Sequence, residues 1–297
     1  MNKLIVITGP TASGKTQLAI EIAKEIRAEI VSFDSRQFYK EISVGTAKPT
    51  DVQLKLVPHH FIANISIQDE YNAGQYEKDA IALIDKLFSK NKYVVLTGGS
   101  GMYLDSILYG FDELPKVEVA VREKLNLLYK EEGLGALLIM LEKLDPEHYN
   151  NVDLNNPQRL IRALEITLGT GIPYSEQRKG KSKNRNFNPF LFGIDVERND
   201  LYERINNRVD AMMEQGLLDE VKFVQPFNQL NSLQTVGYKE LFDYLEGKTN
   251  LETAINLIKL NTRRFAKRQM TWLRKYNELI WVKPENAKKE IFNLIGE

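Results

Sequence analysis

Glycine, lysine and threonine meet at a useful spacing in Gly9-Pro10-Thr11-Ala12-Ser13-Gly14-Lys15-Thr16. A G-x4-G-K-T string of this kind can hold a chain of phosphates. Its glycines let the backbone curl until successive N–H groups point at an anion. A helix starting behind it adds the positive end of its dipole. Lys15 brings a point charge for terminal phosphate oxygens, and the Thr16 hydroxyl can ligate Mg2+. The string specifies a di- or triphosphate group and no nucleoside. Asp34, in Ser32-Phe33-Asp34-Ser35-Arg36-Gln37, can ligate Mg2+ through water or accept a proton from an incoming nucleophile. It can also simply cap a following helix. In Thr97-Gly98-Gly99-Ser100-Gly101 the glycines permit close backbone approach to a ligand, and Ser100 could donate to a leaving-group oxygen. An ordinary strand-to-helix turn reads the same way.

A second constellation is basic. Residues 261–276 read as one helix, with Arg263, Lys267 and Arg274 on one line and Arg264, Arg268 and Lys275 on the next. Phe265, Trp272, Leu273 and Tyr276 fall on the opposite side. No acid occurs from 259 to 275. In a chain with 40 Lys+Arg against 40 Asp+Glu, cations gathered on one face form a local phosphate footprint, pointing to nucleic acid. The run 178–185 carries five basic residues in eight. It is either a second contact or a mobile loop. His59 and His60 are adjacent, and neighbours in a strand point to opposite faces. With His148 distant, no histidine metal site is expected.

These groups need a scaffold that brings them together. The β-branched run 4–7, then 29–33 and 93–96, alternate with helical patterns at 16–26 and 73–90. Such alternation predicts an α/β fold, a parallel sheet with helices on both faces. Ligands of such sheets bind beyond the C-terminal strand ends, so Asp34 should face the phosphate loop. After Pro115 the pattern turns helical, at 119–129, 134–144 and 157–168, with Asn156 as N-cap and Pro157 in the first turn. A strand pattern returns at 189–195, and the chain from 201 on reads as mostly helical. The organisation is therefore a P-loop core over 1–116, a helical insertion over 117–187, and core completion over 188–297. The 297 residues contain no cysteine, which excludes a disulfide scaffold, a Cys zinc site, an iron–sulfur cluster and a thiol nucleophile. No apolar run nears the ~18 residues of a membrane span. A cytoplasmic protein is expected.

Together these strings resemble the bacterial tRNA dimethylallyltransferase (tRNA isopentenyltransferase) family over nearly the whole chain. The resemblance is carried by the phosphate loop, Asp34-Ser35-Arg36-Gln37-Phe38-Tyr39, Gly45-Thr46-Ala47-Lys48-Pro49, Pro58-His59-His60, Gly98-Gly99-Ser100-Gly101-Met102-Tyr103, Asn156-Pro157-Gln158-Arg159-Leu160-Ile161-Arg162-Ala163-Leu164-Glu165, Val236-Gly237-Tyr238 and Thr262-Arg263-Arg264-Phe265-Ala266-Lys267-Arg268-Gln269. The Gly45–Pro49 and Asn156–Glu165 strings are the specific ones. The resemblance implies a P-loop NTPase-like core and transfer of a dimethylallyl group from dimethylallyl diphosphate to the exocyclic amine of adenine 37 in tRNA. It implies Asp34 as general base, the phosphate loop with Lys15 and Mg2+ on the pyrophosphate, and Ser100, where the family usually has Thr, on the leaving group. Ser35, Arg36 and Gln37 would help hold the flipped adenine. Arg122, Gln158, Arg159, Leu160, Ile161 and Arg162, with Arg263, Lys267 and Arg268, would meet the anticodon stem-loop. A monomer is expected, with no membrane partner. Two other readings share part of the pattern. A small-molecule P-loop kinase explains the loop and Asp34 but not the basic helix. A nucleotide-switched RNA-binding module explains the basic face and the loop but gives Asp34 no catalytic task.

Overall fold

The computed structural model describes residues 2–178, 180 and 183–296. Among them, six strands form one parallel sheet: β1 (Lys3–Thr8), β2 (Ile30–Ser32), β3 (His59–His60), β4 (Tyr93–Gly98), β5 (Asn188–Ile194) and β6 (Ile280–Val282). Their order is β3-β2-β4-β1-β5-β6. The run Leu4-Ile5-Val6-Ile7 is wholly buried, as expected of a parallel strand covered on both faces. Ile5 and Ile7 pack with Leu18, Ala19, Ile22 and Ala23 of the helix Lys15–Glu25 and with Ile291 and Ile295 of the helix Ala287–Ile295. Beside β2, the Tyr76 hydroxyl of the helix Ala73–Phe88 donates to the Ser32 carbonyl at 2.9 Å.

Register decides which loops meet. Ile7 pairs with Thr97 and Thr8 with Gly98, while Ser32 also pairs with Thr97. The loops after β1, β2 and β4 therefore leave the same edge side by side, where open parallel sheets bind ligands. β6 lay outside the expectation of a mostly helical tail. Its three residues are too few for a periodic signal, and they form an edge strand through pairing with Phe192, Gly193 and Ile194.

The chain divides into two compact units, Met1–Leu108 with Asn184–Glu297, and Tyr109–Lys183. The second unit begins and ends earlier than 117–187. Its two ends are joined by a hydrogen bond from the Lys183 amide to the Tyr109 carbonyl at 2.8 Å. Arg185 belongs to the first unit. Its guanidinium lies 3.0 Å from Glu77 and donates to the Ser106 and Ile107 carbonyls. Of the basic run 178–185, Arg185 is thus a structural cation, while residues 179, 181 and 182 lie outside the described residues.

The second unit is built on the helices Val119–Glu132, Leu134–Leu144 and Pro157–Thr170. Asn156 caps the last of these, its side chain accepting from the Arg159 amide. Leu125, Leu137, Leu141, Leu160, Ile161 and Leu164 form the core. This corrects the expectation that Leu160 and Ile161 meet tRNA: both are fully buried. They lie on the inner face of a helix whose outer face carries Gln158, Arg159 and Arg162. Leu160→Ala should destabilise this unit by about 2–5 kcal/mol. Urea unfolding of the whole chain should show an earlier transition, and an unchanged curve would contradict the packing. No helix among the described residues is long and apolar enough to cross a membrane.

Candidate active site

Gly14 takes φ 92° and Ala12 φ 64° as the chain leaves β1, so the loop curls tightly before the helix Lys15–Glu25. Its inner residues Thr11, Ala12, Gly14, Lys15 and Thr16 line a cavity of about 1030 Å3. Pro10 braces the loop from behind, its carbonyl accepting from the Ser13 amide and the Lys15 ammonium, each at 3.3 Å. Burial lowers the Lys15 pKa to about 8; Asp34 works against this and Arg208 adds to it. A part-buried ammonium whose hydrogen bond goes to a single carbonyl is well placed to receive an anion from the cavity, and a phosphate group would supply one.

Asp34 lines the same cavity from the end of β2. One carboxylate oxygen accepts from the Arg36 amide at 3.1 Å, which fixes the turn. The Arg36 guanidinium donates to the carbonyls of Asn231 and Ser232, both at 2.9 Å. The Ser100 hydroxyl accepts from the Ser35 amide at 3.0 Å and donates to the Ser35 hydroxyl at 3.1 Å. Ser35, Arg36, Gln37 and Ser100 all face the cavity. The expected donor-side and base-side residues are therefore brought together.

Two residues given no role from sequence complete this wall. Arg208, on the helix Arg198–Glu214, donates to the Thr11 hydroxyl at 3.3 Å. Burial lowers its pKa, with Asp34 opposing. Gln269 lies on the helix Leu251–Leu273. Its carbonyl accepts from the Thr11 amide, and its amide nitrogen donates to the Gly99 carbonyl, both at 2.9 Å. One side chain thus ties the phosphate loop to the loop carrying Ser100. A Cβ on Gly99 would stand 2.3 Å from the Gln269 nitrogen, and one on Gly101 2.3 Å from the Trp272 ring. These glycines let the helix approach. Gln269 had one sequence signal, an uncharged polar residue inside a basic run. Arg208 had none.

The basic helix starts at Leu251, well before 261, under an Asn250 cap. Its buried line is Ala266, Gln269 and Leu273. Phe265, on the apolar side of the helix, is 38% exposed and, with Arg268 and Trp272, lines the cavity. Lys267 is exposed. Arg263 turns inward, donating to Asn206 at 2.6 Å with its guanidinium over the Tyr202 ring. Both of these partners lie on the helix Arg198–Glu214. In the second unit, considered by itself, Arg122 and Arg162 flank the buried Glu165 at 2.9 and 3.1 Å. Arg122 also donates to Gln158. Two cations on one carboxylate leave that face net positive. The histidines have local partners: His60 meets Glu29 at 2.6 Å, His59 meets the Val57 carbonyl, and His148 packs on Tyr174.

The family model described as IPP transferase matches residues 37–276, most of the chain. The chain belongs to the IPP transferase family. As a member it is an enzyme that transfers a group. The match includes Gln37, Ser100, Arg208 and Gln269; the phosphate loop and Asp34 lie before it. Longer similarities include them. A tRNA dimethylallyltransferase of Christiangramia forsetii is 49% identical over 99% of this chain and 97% of its own. One from Flavobacterium johnsoniae is 47% identical over 100% and 98%. Among solved IPP transferase structures, the full-length tRNA isopentenylpyrophosphate transferase of Bacillus halodurans shares 35% identity at a TM-score of 0.74, covering 100% of this chain and 96% of that one. A eukaryotic dimethylallyltransferase acting on tRNA shares 26% at a TM-score of 0.82, covering 100% and 79%.

Proposed function

We propose that this enzyme transfers a dimethylallyl group from dimethylallyl diphosphate to the exocyclic amine of adenine 37 in tRNA, beside the anticodon, with release of pyrophosphate. The observation that carries the reading is the shared cavity: a phosphate loop with a charge-starved lysine and a carboxylate open into one space beside a basic, aromatic-lined helix. An adenine amine is a poor nucleophile, because its lone pair is delocalised into the ring. As the amine nitrogen bonds to the first carbon of the dimethylallyl group, the carbon–oxygen bond to diphosphate breaks and Asp34 takes one amine proton. Lys15, Arg208 and the loop N–H groups stabilise the charge that develops on the pyrophosphate. Ser100 joins them by turning its hydroxyl away from Ser35.

Mg2+ suits this donor set. Among the described residues, no group of three His, Cys, Asp or Glu stands ready for a metal. Mg2+ commonly takes few protein ligands and completes its shell with phosphate oxygens and water. Thr16 would hold it, and when bound it would neutralise diphosphate charge. To reach the cavity an adenine must leave its stack. Ser35, Arg36 and Gln37 receive it, and the exposed Gln158, Arg159 and Arg162, with Arg122, Lys267 and Arg268, engage the stem-loop backbone. A tRNA substrate fits a cytoplasmic location, and the enzyme is taken to act as a monomer.

The test is incubation of the purified chain with Mg2+, dimethylallyl diphosphate and unmodified tRNA, followed by nucleoside mass spectrometry. A prenyl mass increment on adenosine is the expected result, and it should vanish with a tRNA carrying guanosine at position 37. Phosphoryl transfer from ATP to a small molecule, with no increment, would overturn the reading in favour of a kinase. Replacing Lys267 and Arg268 together by Ala should weaken tRNA binding and flatten its log–log salt slope by about 1 per lost phosphate contact. An unchanged slope would show that this face meets no phosphate.

A further inference from the structure

The string Gly45-Thr46-Ala47-Lys48-Pro49 is among the most specific in the chain, yet donor chemistry does not use it. Its hydrogen bonds show what it builds. The consecutive amides of Ser43, Val44 and Gly45 donate to the Glu220 carboxylate at 2.6, 2.8 and 2.9 Å. The Tyr238 hydroxyl donates to the same carboxylate at 2.6 Å. Successive N–H groups of this kind make an anion nest, filled here by a side chain of the helix Leu217–Val224. Position 45 is glycine because the Tyr238 hydroxyl lies 2.6 Å from where a Cβ would sit. Lys48 closes the other end of the loop, donating to the Tyr39 carbonyl and the Ser43 hydroxyl.

The loop so fixed aims two carbonyls at one target. Thr46 and Ala47 accept from the Gln37 side-chain nitrogen at 3.2 and 3.1 Å. A carboxamide has two N–H donors and one acceptor oxygen. With both donors engaged, the oxygen Oε1 is what Gln37 can offer a ligand in the cavity it lines. The flipped amide would set that oxygen against two carbonyls, so the loop fixes the polarity. An acceptor selects an amino group and repels an oxo group at the same position.

We propose that Gln37 is a specificity-determining residue, accepting a hydrogen bond from the amino group of the acceptor purine, and that Glu220 is a positioning residue that sets the polarity of Gln37 through residues 43–48. This rests on the purine-acceptor reading above. The amine has two protons: one passes to Asp34 and the other stays on nitrogen, held by Gln37 through the reaction.

The experiment compares anticodon stem-loop RNAs carrying adenosine, inosine or an abasic site at the target position. Their dissociation constants are measured by fluorescence anisotropy for the native enzyme, Gln37→Met and Glu220→Gln. The native enzyme should prefer adenosine over inosine by about 10- to 100-fold, the scale of a hydrogen bond exchanged for an unpaired buried acceptor. In both variants the ratio should fall towards one, with abasic RNA bound as tightly as before. General unfolding would weaken all three RNAs together, and Tyr238→Phe, which removes one of four bonds to Glu220, then serves as the milder variant expected to lower the ratio. A ratio unchanged in Gln37→Met or in Glu220→Gln overturns the proposal, as does a native enzyme indifferent to the base. A native enzyme that binds none of the RNAs instead defeats the purine-acceptor reading itself.

Discussion

Asp34→Asn should lower prenyl transfer by about 10^2- to 10^4-fold, the usual worth of a positioned general base, while tRNA affinity stays within about twofold of the native value. The substitution is nearly isosteric. A carboxamide oxygen can still accept from the Arg36 amide, so the turn that presents the side chain survives. It cannot take a proton. A secondary effect falls on the donor side, because Asp34 is the neighbour that helps keep Lys15 charged. The lost carboxylate also repelled the diphosphate in the same cavity, so donor binding should change far less than turnover. Single-turnover kinetics at saturating donor separate the two. Turnover within about tenfold of native would remove Asp34 from the role of base.

Lys15→Met should lower turnover by about 10^2- to 10^3-fold, the scale of losing one preorganised partner of a developing charge, and should weaken pyrophosphate binding as well. The direction of the pH dependence follows from the lowered pKa. Free Lys15 loses its proton near pH 8, whereas bound diphosphate holds the proton on. Affinity is then level below about pH 8 and falls above it, by up to about tenfold per pH unit, as binding must recapture a proton. Calorimetric titration with pyrophosphate across this range should show the decline in the native enzyme and not in Lys15→Met. Parallel profiles would mean that Lys15 does not meet the leaving group.

What the sequence made legible was local. The phosphate loop is a contiguous string between a strand and a helix, and Asp34 follows the next strand directly, so the C-terminal edge rule brought them together. Gln269 and Arg208 were not legible because their roles come from long-range approach: each reaches the phosphate loop from a helix nearly two hundred residues or more along the chain. The error over Leu160 and Ile161 came from carrying a helical string across as a unit. A helix of 3.6 residues per turn rotates each position by about 100°, so Gln158, Arg159 and Arg162 share the exposed face while Leu160, Ile161 and Leu164 share the buried one. Phe265 marks a further limit: periodicity separates polar from apolar faces, but it does not tell an apolar face in the core from one that lines a ligand cavity.

The position of β1 has a consequence for motion. It is hydrogen-bonded on both sides, to β4 and β5, and its inner residues are shut off from water. Its amides should therefore exchange with deuterium only when the whole first unit opens. The donor loop is anchored to the slowest-exchanging part of the sheet. The acceptor side depends on residues 43–48, which hang from Glu220 and Lys48 instead of a strand ladder. On gentle warming the enzyme should lose its discrimination between acceptor bases before it loses its hold on diphosphate.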